Sequence, residues 1–200
     1  MLKTTIQSDI SAAVAKINAA LAGGQMNFAV AKALTMTARD VQQEVKRNMP
    51  ERFTLRRQWI VSGIRMEPAT KLNLTSMVYS RDKFMDLQEF GGPKDPRGHY
   101  IAIPTKLVRR TPTQMIRKAD RPKALGDKAE VVDFKGKKYL ALKRPRKGRG
   151  KQELRLLYLL VPRAQIKGRL KLREDAVRVA KSNFEDNLVS SIEYSMRTAR

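Results

Sequence analysis

The C-terminal part of the chain carries a helical repeat of apolar residues, and this repeat constrains the fold more than any other feature of the sequence. Apolar side chains recur every three or four residues over about seven turns, at Leu172, Ala176, Val179, Ala180, Phe184, Leu188, Ile192 and Met196. Glu174 and Asp175 stand at the N-terminal end, where the helix dipole favours negative charge. A long amphipathic helix is predicted, and its apolar face must pack against another element.

Two more helices are predicted in the N-terminal quarter. The first is short, and Gly23–Gly24 ends it after one apolar face formed by Ile6, Ile10, Val14, Ile17 and Leu21. The second is long and rich in alanine, with Asn27 as its N-cap and a stop before Pro50. Its apolar face consists of Val30, Leu34, Thr37, Val41 and Val45.

Between the terminal helices, short strand patterns alternate with Gly and Pro turns. Residues 59–66 and 74–80 are rich in β-branched and aromatic side chains, which predicts a hairpin. Residues 83–90 predict a short helical turn that Gly91–Gly92–Pro93 closes. Residues 99–104 predict a strand at the edge of a sheet, because the final proline cannot donate a hydrogen bond to a neighbouring strand.

The second half of the chain contains further elements. Thr111 as N-cap, followed by Pro112, predicts a short basic helix over 112–119. Two strands around the turn Lys135–Gly136–Lys137 predict a second hairpin. Residues 154–161 are apolar on both faces, which predicts a buried central strand. Together the elements predict an α+β fold in which a mostly antiparallel sheet packs against long N- and C-terminal amphipathic helices.

Basic charge is concentrated in one segment of the chain. The sequence contains 42 Lys and Arg against 19 Asp and Glu, a net charge of +23, of which +14 falls within residues 135–173. Residues 143–151 are polar and rich in Pro and Gly, which predicts a mobile loop tip that contacts polyanions without reading bases. Binding to an acidic protein surface, or a solubilising role, is the alternative. The residues expected near nucleic acid are Lys143, Arg144, Arg146, Lys147, Arg149 and Lys151.

Most enzyme chemistries are excluded by what the sequence lacks. It has no cysteine and a single histidine, His99, so it offers no thiolate nucleophile, no cysteine-bound zinc and no histidine pair for a metal. It has no glycine-rich phosphate-binding motif. Asp82, Asp86 and Glu89 could bind magnesium in a nuclease, but such spacing is common by chance, and His99 is expected at the surface. We therefore expect no enzyme activity, no catalytic, cofactor-binding or metal-binding residues, and no cofactor.

The sequence does not predict a membrane protein. No apolar run approaches the ~20 residues of a membrane span. The N-terminal residues MLKTTIQSDI have neither the apolar region of a secretory signal nor the pattern of a transit peptide, which predicts a cytosolic start.

Three short segments follow the long Ala-rich helix in a fixed order along the chain. An Ala-rich helix ends at Pro50 and is followed by residues 50–56 (PERFTLR), by residues 84–92 (FMDLQEFGG), and by residues 101–104 (IAIP). These segments resemble the minor tail protein Z and tail completion proteins of long-tailed bacteriophages and the related head–tail joining family. The first is similar to the family's Pro-x-x-Thr-Gly-x-Leu stretch but lacks its glycine, the second to its Glu-Phe-Gly stretch, and the third to its Ile-Pro strand end.

The resemblance implies a structural protein that completes the tail, or joins it to the head, as part of a ring around the DNA channel. It implies one tail-completion-like domain over residues 1–200, with a basic hairpin or loop insertion around 106–153. The partners would be further copies of the chain in a hexameric ring, the neighbouring tail tube, tail terminator or head connector proteins, and phage DNA in nonspecific contact. The protein would be assembled in the host cytoplasm into the tail or neck of the virion. The turn at 89–92 would be a backbone corner, since glycine permits positive φ.

Two other functions are open from the sequence. The basic segment also fits a host nucleic-acid-binding protein associated with the ribosome or the nucleoid. A tail component should bind nucleic acid weakly and assemble with phage partners, whereas a ribosomal protein should bind one RNA tightly. A metal-dependent nuclease is the third candidate, and cleavage of DNA or RNA that Asp82→Ala or Asp86→Ala abolishes would identify it.

Overall fold

The protein is described by a computed structural model that places residues 3–6, 25–144 and 153–198. The chain divides into two compact units. Unit 1 consists of Met1–Gly91 together with Lys167–Arg200, and unit 2 consists of Gly92–Ile166. The prediction of one domain with an insertion around 106–153 stays a prediction, and that segment falls within the interval of unit 2.

Helices and strands alternate along the described chain. Its α-helices are α1 (Gln25–Arg52), α2 (Trp59–Ser62), α3 (Met85–Phe90), α4 (Pro122–Leu125) and α5 (Leu172–Thr198). Its strands are β1 (Lys3–Ile6), β2 (Ile64–Glu67), β3 (Ser76–Ser80), β4 (Gly92–Lys94), β5 (Ile101–Pro104), β6 (Ala129–Phe134), β7 (Lys137–Arg144), β8 (Glu153–Val161) and β9 (Ala164–Ile166). All the strand pairs are antiparallel, so the predicted α+β fold class is confirmed.

The two long helices of unit 1 pack against each other and form most of its core. The five residues predicted to line one face of α1 are all buried. The C-terminal half of α1 shares a cluster with Leu172, Ala176 and Val179, and its N-terminal half shares another with Phe184, Leu188 and Ile192. The helices therefore run antiparallel. Each fully buried aliphatic side chain in this interface contributes about 1.5–3 kcal/mol.

The predicted face of α5 is wrong at its C-terminal end, where Met196 is 64% exposed. An α-helix has 3.6 residues per turn, so a run of four-residue spacings turns about 40° away from the packed face at each step. After Phe184 three such steps carry Met196 out to solvent. Ser191 and Ser195 take the buried positions instead.

Two predictions about α1 need correction, and a third prediction on this side of unit 1 lies largely outside the described residues. That third prediction is the helix over 6–21, of which only Ile6 is described, as the last residue of strand β1. Helix α1 begins at Gln25, so Asn27 lies inside it rather than at its N-cap. The helix also continues past Pro50 to Arg52, and Phe53 N donates to Met49 O at 2.9 Å. The proline removes one hydrogen bond close to the helix end, while Met49 beside it is fully buried.

The sheet of unit 1 has the strand order β1-β3-β2. The predicted hairpin is confirmed for β2 and β3, which pair from Ile64 opposite Ser80 to Glu67 opposite Met77. Its first strand is shorter than predicted, because Trp59–Ser62 forms a helical turn. The hydroxyl of Ser62 donates to Trp59 O at 2.8 Å, so this carbonyl accepts a local hydrogen bond rather than one from the N–H of a neighbouring strand.

The main sheet of unit 2 has the strand order β5-β8-β7-β6. Strand β8 is central and β5 is an edge strand that ends at Pro104, as predicted. The predicted hairpin of β6 and β7 is also confirmed. Its two-residue turn has φ of 51° at Lys135 and 72° at Gly136, as a type I′ turn requires. A second, two-stranded sheet pairs β4 with β9.

The basic helix predicted over 112–119 is wrong. Thr111 Oγ1 accepts a hydrogen bond from Met115 N at 3.1 Å, and Gln114 has a φ of 59°, so the chain reverses in a tight loop. An antiparallel bridge between Arg110 and Ile116 closes the loop, and a 3₁₀ turn follows at Lys118–Asp120. The threonine hydroxyl therefore caps a turn rather than a helix.

Candidate nucleic-acid interface

Unit 2 carries most of the net charge. Its sequence holds 21 Lys and Arg against six Asp and Glu, a net charge of +15, whereas unit 1 has 21 against 13, a net charge of +8. Among the described residues of unit 2, the ion pairs are Lys143–Glu130 and Arg163–Asp95, both exposed. Exposed pairs of this kind contribute roughly 0–1 kcal/mol. Most of the cations of unit 2 are therefore not neutralised by carboxylates of the described chain.

The structure describes two of the six residues predicted near nucleic acid. Lys143 and Arg144 are the last two residues of β7, and Lys143 Nζ lies 2.5 Å from Glu130 Oε2 on β6. Arg144 pairs with Glu153 in the backbone register of β7 and β8. Arg146, Lys147, Arg149 and Lys151 lie outside the described residues. The connection between β7 and β8 therefore starts from one end of the main sheet of unit 2.

The opposite end of the same hairpin carries a second group of lysines, Lys135, Lys137 and Lys138, all exposed. Lys138 Nζ donates to the hydroxyl of Tyr100 at 3.3 Å, and this hydrogen bond raises the pKa of Lys138. Lys135 Nζ lies 5.6 Å from the ring centroid of Phe134. These lysines belong to the predicted basic segment, but a prediction limited to its loop tip did not include them.

The three carboxylates considered for magnesium are not gathered into a metal site. Glu89 accepts hydrogen bonds from Leu172 N at 2.8 Å and Arg173 N at 2.9 Å, so both its oxygens cap the N-terminus of α5. Asp82 lies near Gly63, and Asp86 belongs to the first turn of α3. Within residues 3–6, 25–144 and 153–198, no group of three potential metal ligands occurs. His99 is exposed in the loop before β5, as expected.

The cap that Glu89 forms was missed from the sequence, although a signal for it exists. Helix α5 follows Lys171, whose φ is 55°, and a lysine offers no side-chain acceptor for the first N–H groups of the helix. A helix that begins without Ser, Thr, Asp or Asn needs an acceptor from elsewhere in the chain. Glu89, 83 positions earlier in the sequence, supplies it.

The corner at residues 89–92 is held by backbone contacts. Gly91 and Gly92 have φ of 71° and 124°, so the predicted glycine corner is confirmed. Gln88 O accepts hydrogen bonds from Arg169 N at 2.6 Å and Leu170 N at 2.8 Å. A Cβ at Gly168 would lie 2.4 Å from Glu89 O, closer than any side chain allows. The corner therefore fixes where α5 begins.

In unit 1 one network of ion pairs joins the two long helices. Arg52 binds both oxygens of Asp175, at 2.6 and 2.9 Å, and the Asp175 side chain also accepts hydrogen bonds from Asn48 and Arg178. Burial raises the pKa of Asp175, but these hydrogen bonds outweigh it and hold the pKa below its ordinary value. Hydrogen bonding to Arg178 lowers the pKa of Glu44 in the same network.

None of the described helices is both long and apolar enough to cross a membrane.

No family model, no curated protein and no solved structure matches this chain.

Proposed function

We propose that the protein is a structural component of a long-tailed bacteriophage that completes the tail, or joins it to the head, as one subunit of a ring around the DNA channel. The observation that supports this most is the charge of unit 2, +15 within 75 residues, with few carboxylate partners. A closed ring repeats the same surface around its axis, so such a unit forms a continuous basic collar. Phosphate contacts without base contacts let DNA slide through it.

Two of the segments that resemble the tail completion family form parts of the backbone framework of the fold. The Glu-Phe-Gly stretch supplies a helix cap and a backbone corner in unit 1, and the Ile-Pro stretch is an edge strand in unit 2. These environments suit a scaffold protein, because the polar groups of the stretch are used to hold α5 in place. They support an assembly function rather than catalysis.

A host protein of the ribosome or nucleoid is the second candidate, and it rests on the same charge. A tail component should bind nucleic acid weakly, whereas a ribosomal protein should bind one RNA tightly.

Deletion of the gene from the phage that encodes it tests the proposed function. We expect free heads beside unattached or overlong tails in electron micrographs of the lysate, because a ring that joins the two parts is missing. Complementation with the wild-type gene is the control. Normal infectious yield, with heads joined to normal tails, would remove the proposal.

The predicted contact of the basic loop with DNA has a separate test. We expect Gln at Lys143, Arg144, Arg146, Lys147, Arg149 and Lys151 to weaken binding to any duplex and to reduce the salt slope by about one unit per lost phosphate contact. A matched variant places six Gln at exposed cations of unit 1, namely Arg56, Arg57, Arg65, Lys71, Lys83 and Lys181.

Salt titrations of the wild type and both variants against two unrelated duplexes distinguish the outcomes. A slope that falls only in the loop variant supports the contact. Identical slopes in all three proteins would mean that the loop does not bind DNA. A strong preference for one duplex would indicate sequence-specific binding, and tight binding of one RNA would favour the ribosomal candidate.

A further inference from the structure

The segment between β5 and β6 carries an arginine cluster. The cluster consists of Arg109, Arg110, Arg117 and Arg121. Asp120 is the one acidic residue between positions 109 and 126. None of the four arginines forms an ion pair within the described part of the chain.

Two of these arginines lie side by side on the surface. The bridge between Arg110 and Ile116 places Arg109 opposite Arg117, and Arg117 N donates to Arg109 O at 3.4 Å. Ile116 packs into the core of unit 2, and Arg109 and Arg117, at the alternate positions, are exposed. Like charges directly opposite each other destabilise a strand pair. The arrangement is therefore one that a bound anion would stabilise.

The arginine segment is fixed to the sheet rather than free. Thr111 and Met115 close its tight loop, with Thr111 N donating to Met115 O at 2.8 Å. The hydroxyl of Tyr158, a buried residue of the central strand β8, donates to Asp120 O at 2.6 Å. Arg121 follows this anchored carbonyl directly. Anchoring lowers the conformational entropy that the segment would lose on binding a ligand.

A tight turn keeps Arg121 close to Arg117. Asp120 N donates to Arg117 O at 3.0 Å, and Arg121 N donates to Lys118 O at 3.4 Å, so the chain turns back within Lys118–Asp120. Arg121 is exposed, as are Arg109 and Arg117. These three arginines therefore lie within one short stretch of folded chain on unit 2.

We propose that Arg109, Arg117 and Arg121 form a binding site for the phosphodiester backbone of duplex DNA. A guanidinium group presents its N–H donors as a planar fork that matches two phosphate oxygens, and it stays charged at any physiological pH. The choice of duplex DNA as the ligand rests on the proposed function. The segment leaves β5 at Pro104 and joins β6 at Ala129, which pairs with Leu142 near the end of β7. The site therefore lies toward the end of the sheet that carries Lys143.

Three triple variants test the site by fluorescence anisotropy with a labelled duplex over a range of NaCl concentrations. The first replaces the three arginines by Gln, and the second replaces them by Lys. The third, a control, replaces Lys106, Lys123 and Lys128, exposed lysines of the same unit, by Gln. Circular dichroism establishes that each variant keeps the secondary structure of the wild type.

We expect the Arg→Gln variant to bind more weakly and to lose about three units of salt slope, one for each phosphate contact. The Arg→Lys variant should keep most of the slope but bind more weakly than the wild type, because a lysine cannot bind two phosphate oxygens at once. The lysine control should lose less than about one unit. Equal slopes for the wild type and the Arg→Gln variant, or an equal loss in the control, would overturn the site.

Two competitors test the identity of the ligand. Wild-type binding to a poly-glutamate chain as tight as binding to duplex DNA, with both lost in the Arg→Gln variant, would assign the site to an acidic protein and overturn the DNA proposal. Tighter binding of an RNA hairpin than of the duplex would also overturn it. Normal assembly of the gene-deleted phage would remove the proposed function and leave the titrations unchanged, so the two failures are distinguishable.

Discussion

In unit 1 arginine meets aspartate across two packed helices, whereas in unit 2 arginine lies beside arginine on the surface. Asp175 is 3% exposed and accepts hydrogen bonds from Arg52, Asn48 and Arg178. Arg109 and Arg117 face each other without a carboxylate partner in the described chain. The ion pairs around Asp175 therefore stabilise unit 1 itself, whereas Arg109 and Arg117 of unit 2 are available to a ligand.

The largest effect in this comparison should come from Arg52→Met. The substitution leaves the buried carboxylate of Asp175 without its two-point partner, which we expect to lower the free energy of unfolding by about 3 kcal/mol. Trp59, the single tryptophan, lies in unit 1, so its fluorescence during urea denaturation reports on that unit. Arg57→Met at an exposed position is the control. The same unfolding midpoint for both variants would contradict the prediction.

Gly168→Ala should have the next largest effect. Its new Cβ would lie 2.4 Å from the backbone oxygen of Glu89, so the corner that fixes α5 must shift, at a cost of about 2 kcal/mol. The same urea denaturation measures this cost. Gly98→Ala, which meets no atom within 4 Å, should leave the midpoint unchanged. A normal midpoint for Gly168→Ala would show that the corner adjusts freely.

Acid should weaken unit 1 by a smaller amount. The folded-state pKa values of Asp175 and Glu44 are lowered, so their contribution is fully present above the ordinary values of 3.8 and 4.5. It is lost as the pH falls through the lowered values. Protonated carboxyl groups still form hydrogen bonds, so the loss should be less than that in Arg52→Met. Urea midpoints at about pH 6 and about pH 3 should differ less for Asp175→Asn than for the wild type, and equal differences would contradict the assignment.

The smallest effect on stability should come from the arginines of unit 2. Replacing Arg109 and Arg117 by Gln removes a repulsive pair, so we expect the free energy of unfolding to rise by no more than about 0.5 kcal/mol. Circular dichroism follows the transition. A loss of more than about 1 kcal/mol would mean that these arginines hold unit 2 together, and the contrast between the two units would then fail.

The elements with regular apolar spacing could be predicted from the sequence. The buried faces of α1 and most of α5, the hairpin of β6 and β7 and the central position of β8 follow from local patterns that tertiary packing did not override. The end of α5 could not be predicted from its apolar residues, because the residues that pack there are two serines.

The secondary structure predicted from local sequence is wrong at two places where a side-chain hydroxyl forms a hydrogen bond with the nearby backbone. Trp59–Ser62 has the composition of a strand, yet the Ser62 hydroxyl bonds to the carbonyl three residues earlier. Thr111 has the sequence context of a helix cap, yet its hydroxyl closes a turn. In both cases a hydroxyl side chain bonds to the nearby backbone, which competes with the regular structure that the local sequence predicts.

The candidate sites were predictable only in part. Composition was enough to place Lys143 and Arg144 in a basic segment. Arg109 and Arg117 lie opposite each other because of a loop geometry that the sequence did not predict. The hydrogen bond between Leu172 N and Glu89 joins residues 83 positions apart. Contacts of this range depend on the folded chain, so a single sequence does not specify them.

The pairing of β4 with β9 determines where the chain can best accept insertions and deletions. Gly92 lies opposite Ile166, so the first and last residues of unit 2 are about 5 Å apart, one strand spacing. The entropic cost of holding the two ends of such a segment together rises only slowly as the segment lengthens. Residues can be gained or lost between those ends while the neighbouring helices keep their register. Such a segment is therefore a place where insertions, exchanges between related genes and engineered replacements are tolerated best.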